Sequence, residues 1–168
     1  MTEDDAPVRP CTAADLPGLL ALYRHLAPGN PPPAPAEAEA ILGRIAAVPG
    51  SAVLVAAQAG RVLASCTLMV IPNLTRGGRP FGLIENVVTD PAYRGRGHGT
   101  RLLDAASAAA WAAGCYKVML LTGSSRPTTL DFYRRAGFAQ TKTGFQKRRA
   151  EVECPGDGGS EPDGPRRG

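Results

Sequence analysis

The chain has 168 residues, 43% of them hydrophobic and 20% charged, with a formal net charge of +4 at pH 7. That length supports one well-buried core and is short for two ordinary domains. No apolar run approaches the ~20 residues a membrane-spanning helix needs, and the start, Met1-Thr2-Glu3-Asp4-Asp5, is acidic where a secretory leader would be basic and then apolar. A cytoplasmic protein with no membrane partner is expected. Cys11, Cys66, Cys115 and Cys154 include no C-x-x-C pair and no nearby histidine, which argues against a metal site and a disulfide framework. Cys66 and Cys115 read as small core residues. Sixteen of the nineteen basic residues are arginine, and no aromatics are interleaved with them as in single-strand binders. Nucleic acid is therefore not an expected partner, and an anionic cofactor accounts for the charge equally well.

In chain order, Thr12-Ala13-Ala14-Asp15 has the form of a capping box, and Leu16, Leu19, Leu20, Tyr23 and Leu26 follow at helical spacing. A first helix to about Leu26 is predicted. Residues 27–35 hold five prolines; each lacks an amide donor and biases its predecessor toward extended backbone, so this is a loop of lid length. A second helix, Ala36 to Val48, places Ile41, Leu42, Ile45 and Val48 on one face and ends at Pro49-Gly50. Ala52 to Gln58 and Arg61 to Ile71 flank Ala59-Gly60 and predict an antiparallel hairpin.

Beyond a loop over Thr75 to Pro80, the segment Phe81 to Asp90 is apolar and β-branched, with Glu85 as its one internal charge. A helix after Gly99 buries Leu102, Leu103, Ala106, Ala109, Ala110 and Ala113 and ends at Gly114. Trp111 is expected to pack on it. A strand, Lys117 to Thr122, completes a βαβ unit with parallel strands. Thr128 to Ala136 reads as a short helix stopped by Gly137, and Phe138 to Arg149 as one or two closing strands. The fold class is α/β (α+β), with residues 1–150 as a single domain and 151–168 as a disordered tail of Gly, Pro and charge.

Chemistry concentrates between Asp90 and the helix after Gly99. Gly95, Gly97 and Gly99 alternate, letting the backbone fold closely around a ligand and leaving amides at a helix N-terminus, where partial positive charge favours phosphate. Arg94 and Arg96 add full charge. The pattern suits a polyphosphate. It is not a Walker loop, and Thr100 stands where the dinucleotide fingerprint requires its third glycine. A plain strand-to-helix turn is the alternative.

The run Leu83-Ile84-Glu85-Asn86-Val87-Val88-Thr89-Asp90-Pro91-Ala92-Tyr93-Arg94-Gly95-Arg96-Gly97-His98-Gly99 resembles the GCN5-related N-acetyltransferase family, whose acetyl-CoA loop reads Q/R-x-x-G-x-G/A. Arg94, Gly97 and Gly99 occupy its defined positions. Asp131-Phe132-Tyr133-Arg134-Arg135-Ala136-Gly137-Phe138 is similar to the family's F-Y-x-x-x-G-F close, and the resemblance covers roughly Val8 to Arg149. Within the family, Ile84-Glu85-Asn86-Val87-Val88 followed by Gly114-Cys115-Tyr116-Lys117-Val118 most resembles the glucosamine-6-phosphate N-acetyltransferases and similar small-molecule acetylators.

The resemblance implies a mixed, twisted sheet of about six to seven strands, antiparallel in its first half and ending in a splayed parallel pair, flanked by about four helices. It implies acetyl-CoA as cosubstrate, no metal, and direct attack by a primary amine in a ternary complex. A bulge in the Glu85 strand would free amides near Val87 and Val88 for the pantetheine arm and thioester carbonyl. Residues Arg94, Gly95, Arg96, Gly97, His98, Gly99 and Thr100 would supply the pyrophosphate site. Glu85 would be the base, directly or through water, and Tyr133 would protonate the departing thiolate. The bland alternatives are a solvent-facing carboxylate and a packed core tyrosine. Arg126, where many relatives have asparagine, would contact a cofactor phosphate or an acidic substrate group, or be a solvated loop residue. His98 is read as a spacer contributing its backbone, and His25 as surface or lid. The Pro-rich loop and the Thr75 to Pro80 loop are expected to line the acceptor site. The acceptor could be an amino sugar, a polyamine-like molecule, an antibiotic or a protein amine, and relatives of this size are often homodimers. A non-catalytic acyl-CoA sensor would have no need of Glu85 and Tyr133 together.

Overall fold

The computed structural model describes residues 6–147 and 149; the tail expected over 151–168, and Cys154, lie outside the described residues. One sheet runs in chain order through β1 (Val8–Pro10), β2 (Ala52–Gln58), β3 (Arg61–Ile71), β4 (Phe81–Thr89) and β5 (Val118–Leu120). The first four strands pair antiparallel, and β5 joins β4 in parallel. The helices are α1 (Leu16–Tyr23), α2 (Pro35–Ala46), α3 (His98–Ala112) and α4 (Pro127–Arg135).

The β2–β3 hairpin forms at the expected bounds. Its turn residues Ala59 and Gly60 both take positive φ, 49° and 77°, the backbone that a two-residue turn matching strand twist requires. Helices cover both faces of the sheet, which is why the central strands are nearly continuous apolar runs rather than alternating ones. On one face Leu54, Ala64, Cys66, Leu68 and Ile84 pack against Leu102, Leu103, Ala106 and Ala110 of α3. On the other, Val53, Val55, Ala57, Val62 and Val88 pack against Leu16, Leu19 and Leu22 of α1 and Ala38 of α2. Small residues set how closely α3 approaches: a Cβ on Gly82 would stand 3.2 Å from the Ala110 Cβ.

The capping box is present. The Asp15 carboxylate accepts from the Thr12 amide and hydroxyl, each at 2.8 Å, and from Arg9 at 2.6 and 2.8 Å. The Arg9 guanidinium holds Asp15 well below the usual carboxylate range. This cap closes a 3₁₀ turn, Ala13–Asp15, that leads into α1. Cys66 and Cys115 are buried free thiols, and burial pushes Cys66 up to about 12. No helix among the described residues is long and apolar enough to cross a membrane.

The structure corrects several expectations. Strand β1 is additional to the predicted elements, because three residues ending in Pro10 carry no periodic signal and pair only once β2 is in place. The first helix stops at Tyr23, short of Leu26, and the second begins at Pro35, where a proline is tolerated in the first turn. No strand follows Leu120 among the described residues. Among the described residues the sheet therefore has five strands rather than six or seven. Residues 139–147 are exposed throughout and Phe145 is 95% exposed, so that stretch has no apolar face to bury against β5. Trp111, expected to pack, lies on the solvent side of α3 at 52% exposure.

Candidate active site

The site is built around an irregularity in β4. Thr67 pairs with Glu85 and Ser65 with Val88, so Cys66 of β3 stands opposite two residues of β4, Asn86 and Val87. This is a bulge. Asn86 takes φ 54°, a left-handed backbone that asparagine tolerates better than most side chains. On the other edge, β4 pairs with β5 only from Gly82 to Ile84, against Val118 to Leu120. Beyond Ile84 the two parallel strands part, leaving the upper half of β4 with an open edge. The Asp90 amide donates to the Leu63 carbonyl at 2.8 Å. By the alternation of an antiparallel ladder, Val88 also turns its backbone groups to β3, while Val87 and Thr89 turn theirs to the open edge. There the Thr89 carbonyl accepts from Arg94 Nε at 3.3 Å.

The loop after β4 is ordered by its own residues. The Asp90 carboxylate accepts from the Ala92 amide at 2.9 Å and caps the turn Pro91–Tyr93. Gly95 and Gly97 then take φ 78° and 80°, and Gly97 is the N-cap of α3. Left-handed residues ahead of a helix N-terminus turn successive amides into one concavity, the geometry of an anion site. Gly99 differs from this pair. It has ordinary helical backbone, and a Cβ there would lie 3.1 Å from Cζ and 3.3 Å from Cε2 of Phe132. Gly99 thus admits α4 against the first turn of α3, a packing demand rather than a ligand's approach.

Arg94, Arg96 and Thr100 are exposed around this loop, and the Arg96 guanidinium lies over the Tyr93 ring at 5.1 Å. His98 does more than space the loop. Its side chain is 1% exposed, its ring meets the Tyr93 ring at 6.3 Å, and Nδ1 lies 2.9 Å from Arg101 Nη2. Arg126 is exposed at the N-cap of α4. Because β4 and β5 run parallel, the starts of α3 and α4 gather at the same end of the sheet. The Thr75 to Pro80 loop closes at the opposite end of β4, where Arg76 lies over Tyr116 at 5.8 Å. His25 is exposed beyond α1 and lines a cleft of about 290 Å³ with Arg61 and Asp90.

Glu85 and Tyr133 approach the parted strands from different sides. Glu85 lies opposite Thr67, and directly opposed residues share a face. That face is the one covered by α1 and α2, since Cys66 and Leu68, on either side of Thr67, face α3. Tyr133 packs with the α3-side core, 5.0 Å from the Phe132 ring and 6.5 Å from the Phe138 ring. Burial, and after it the negative charge of Glu85, push the Tyr133 phenol above its ordinary value. The Glu85 carboxylate is therefore near enough for its charge to act on the Tyr133 phenol. Helix α1 adds Tyr23 on the Glu85 side; burial raises this phenol too, against the opposing effect of the Ser65 and Thr67 hydroxyls.

Sequence reasoning misses the left-handed Asn86, the packing role of Gly99, and Tyr23 with its hydroxyl neighbours. Asn86 carries a usable signal, an asparagine inside a β-branched run. The other two depend on contacts between distant elements and carry none.

Residues 19–138 match the acetyltransferase (GNAT) family, and the chain belongs to that family. It is 46% identical over 79 residues to a glucosamine 6-phosphate N-acetyltransferase of Trypanosoma brucei brucei, covering 47% of this chain and 52% of that protein. It is 36% identical over 138 residues to glucosamine 6-phosphate N-acetyltransferase 1 of Oryza sativa subsp. japonica, covering 79% of this chain and 81% of that one. A candidate acetyltransferase from Agrobacterium tumefaciens str. C58 superposes with TM-score 0.79 at 47% identity, covering 85% of this chain and 99% of that chain. The chain spans about half the length of the trypanosomal relative.

Proposed function

We propose that this protein transfers the acetyl group of acetyl-CoA to the primary amine of a small molecule by direct attack in a ternary complex. The observation that carries the reading is the parting of β4 from β5. It leaves an open edge on β4, whose Glu85 lies on the α1 face while Tyr133 packs on the α3 side, beside a left-handed glycine loop at the N-terminus of the 15-residue α3. The residues present fit acetyl-CoA. An open strand edge suits the amides of its pantetheine arm, while the Gly95 and Gly97 backbone, with Arg94, Arg96 and Thr100, suits its pyrophosphate.

Acetyl-CoA supplies an acetyl thioester when bound. Val87, whose amide faces the open edge, donates to the thioester carbonyl and favours the charge that grows on it. Val88, turned to β3, holds the bulge in register and contributes core packing. Glu85 takes a proton from the acceptor amine on the α1 side. Tyr133 Oη gives its proton to the departing sulfur; its raised pKa makes it a weaker acid but keeps the proton in place to higher pH. Arg126, at the start of α4, and the backbone of His98 and Gly99 complete the phosphate end. The relatives named for glucosamine 6-phosphate favour an amino sugar among the acceptor classes.

Calorimetric titration with acetyl-CoA and CoA, with ATP and NAD as controls, tests the cofactor. Saturable binding of the CoA compounds alone is expected. Thiol release in the presence of glucosamine 6-phosphate and other amines then tests the transfer; binding of ATP or NAD instead, or no thiol release with any amine, would overturn the reading.

A further inference from the structure

Arg61 is the first residue of β3, beside the hairpin turn and far in sequence from the glycine loop. Its guanidinium nevertheless reaches that loop at two points. Arg61 Nη2 lies 3.6 Å from Asp90 Oδ2, and Arg61 Cζ lies 5.0 Å from the centroid of Tyr93. Both partners shape the loop. Asp90 caps its first turn through the Ala92 amide, and Tyr93, only 7% exposed, is the side chain that anchors it to the core. Tyr93 also carries the Arg96 guanidinium at 5.1 Å and meets the buried His98 ring at the start of α3.

One phenol ring thus holds a cation from the hairpin and a cation from the loop. Each is attracted by the ring's negative face. The same two cations, with Arg94, put three positive charges at one end of the sheet, where Asp90 is the carboxylate in ion-pair reach of Arg61. Positive charges held in place before an anion arrives need no reordering when it binds.

We propose that Arg61 is a positioning residue for the CoA phosphates: through Tyr93 and Asp90 it fixes the Tyr93–Gly97 loop, and with it Arg96, in the phosphate-binding arrangement. This rests on the reading of the loop as the acetyl-CoA site. Arg61 needs no contact with the phosphates. Its side chain is 60% exposed, so its replacement leaves the core intact.

The test is titration of CoA into the full chain and its Arg61→Ala, Tyr93→Phe, Tyr93→Leu and Arg61→Ala/Tyr93→Leu variants, with melting temperatures alongside. Arg61→Ala should weaken CoA about fivefold, the size expected for an exposed cation–ring contact with one weak ion pair. Tyr93→Phe keeps the ring and should bind like the parent. In the Tyr93→Leu background, Arg61→Ala should have little further effect, because its main route to the loop is gone. With an amine acceptor at saturation, Arg61→Ala should raise KM for acetyl-CoA and leave kcat within about twofold of the parent's, as loss of binding without loss of chemistry requires. Equal CoA affinity for the parent and Arg61→Ala would overturn the proposal while leaving the acetyltransferase reading intact, as would an additive loss in the Tyr93→Leu background. If Tyr93→Leu does not fold, wild-type-like binding by Tyr93→Phe supports the proposal and a loss equal to that of Arg61→Ala overturns it. Absence of CoA binding by the parent protein would sink the acetyltransferase reading and this proposal with it.

Discussion

Two strand pairs in the same sheet behave in opposite ways. β2 and β3 are paired from Gln58↔Arg61 to Ala52↔Leu68, with helices over both faces and most side chains buried. β4 and β5 are paired over three residues and then part. The first pair serves stability. The second leaves backbone groups of β4 without a strand partner at an edge, which is costly for a structural sheet unless a side chain, ligand or water satisfies them. The proposed chemistry lies where the regular ladder is given up, and substitutions in the two regions should separate accordingly.

The largest separation is expected at Glu85. Glu85→Gln keeps size and hydrogen bonding but removes the proposed base, so turnover should fall by roughly 10²- to 10⁴-fold while CoA affinity and melting temperature stay near the parent's. Thiol-release kinetics with calorimetry would check this, and unchanged turnover would remove Glu85 from the chemistry. The converse is Leu68→Ala, in the fully buried middle of β3. Deleting that side chain should cost about 2–5 kcal/mol of stability through lost burial and the cavity left behind. Urea denaturation would measure it, and the folded fraction should retain the parent's kcat.

The loop glycines divide in the same way, one by backbone and one by packing. Gly97 has φ 80°, and a Cβ added there would meet only the far end of the Arg101 side chain, at 3.8 Å, whereas Gly99 has ordinary backbone and Phe132 at 3.1 Å. Gly97→Ala should therefore strain the anion loop and weaken CoA. Gly99→Ala should instead press on Phe132 and its neighbour Tyr133, lowering stability by about 1–3 kcal/mol and turnover more than CoA affinity. Calorimetry on both variants separates the cases: equal effects of the two substitutions on CoA binding would contradict the different roles assigned to them.

Much of this is legible in the sequence, for identifiable reasons. The hairpin bounds follow from two β-rich runs around Ala59-Gly60, and the left-handed turn ahead of α3 from Gly95 and Gly97 before an apolar helical stripe. These signals are local. β1 is illegible because a three-residue strand exists only through its pairing with β2. The pattern from Phe138 to Arg149 suggests closing strands, yet residues 139–147 remain exposed and form no ladder. The bulge can be inferred only from resemblance, since register is fixed by the partner strand. The placement of Glu85 and Tyr133 on different faces likewise depends on that register and on the docking of α4.

The smallest expected effect tests that placement directly. Two causes raise the Tyr133 phenol, burial first and the Glu85 carboxylate second. In the proposed transfer the protonated phenol is the competent donor, so a raised pKa extends its competence past the ordinary tyrosine range, and turnover should decline only when pH rises through the raised value. In Glu85→Gln the charge is gone and the burial remains. Tyr133 should then titrate at lower pH than in the parent protein, but still above an exposed tyrosine. Tyrosine-labelled NMR across alkaline pH, with Tyr133→Phe to assign the resonance, would follow the change without any acceptor. A Tyr133 titration indifferent to Glu85→Gln would mean that the two side chains do not meet across the open seam, and the pairing of base and acid in one gap would fall even if each still bound its own half of the substrate.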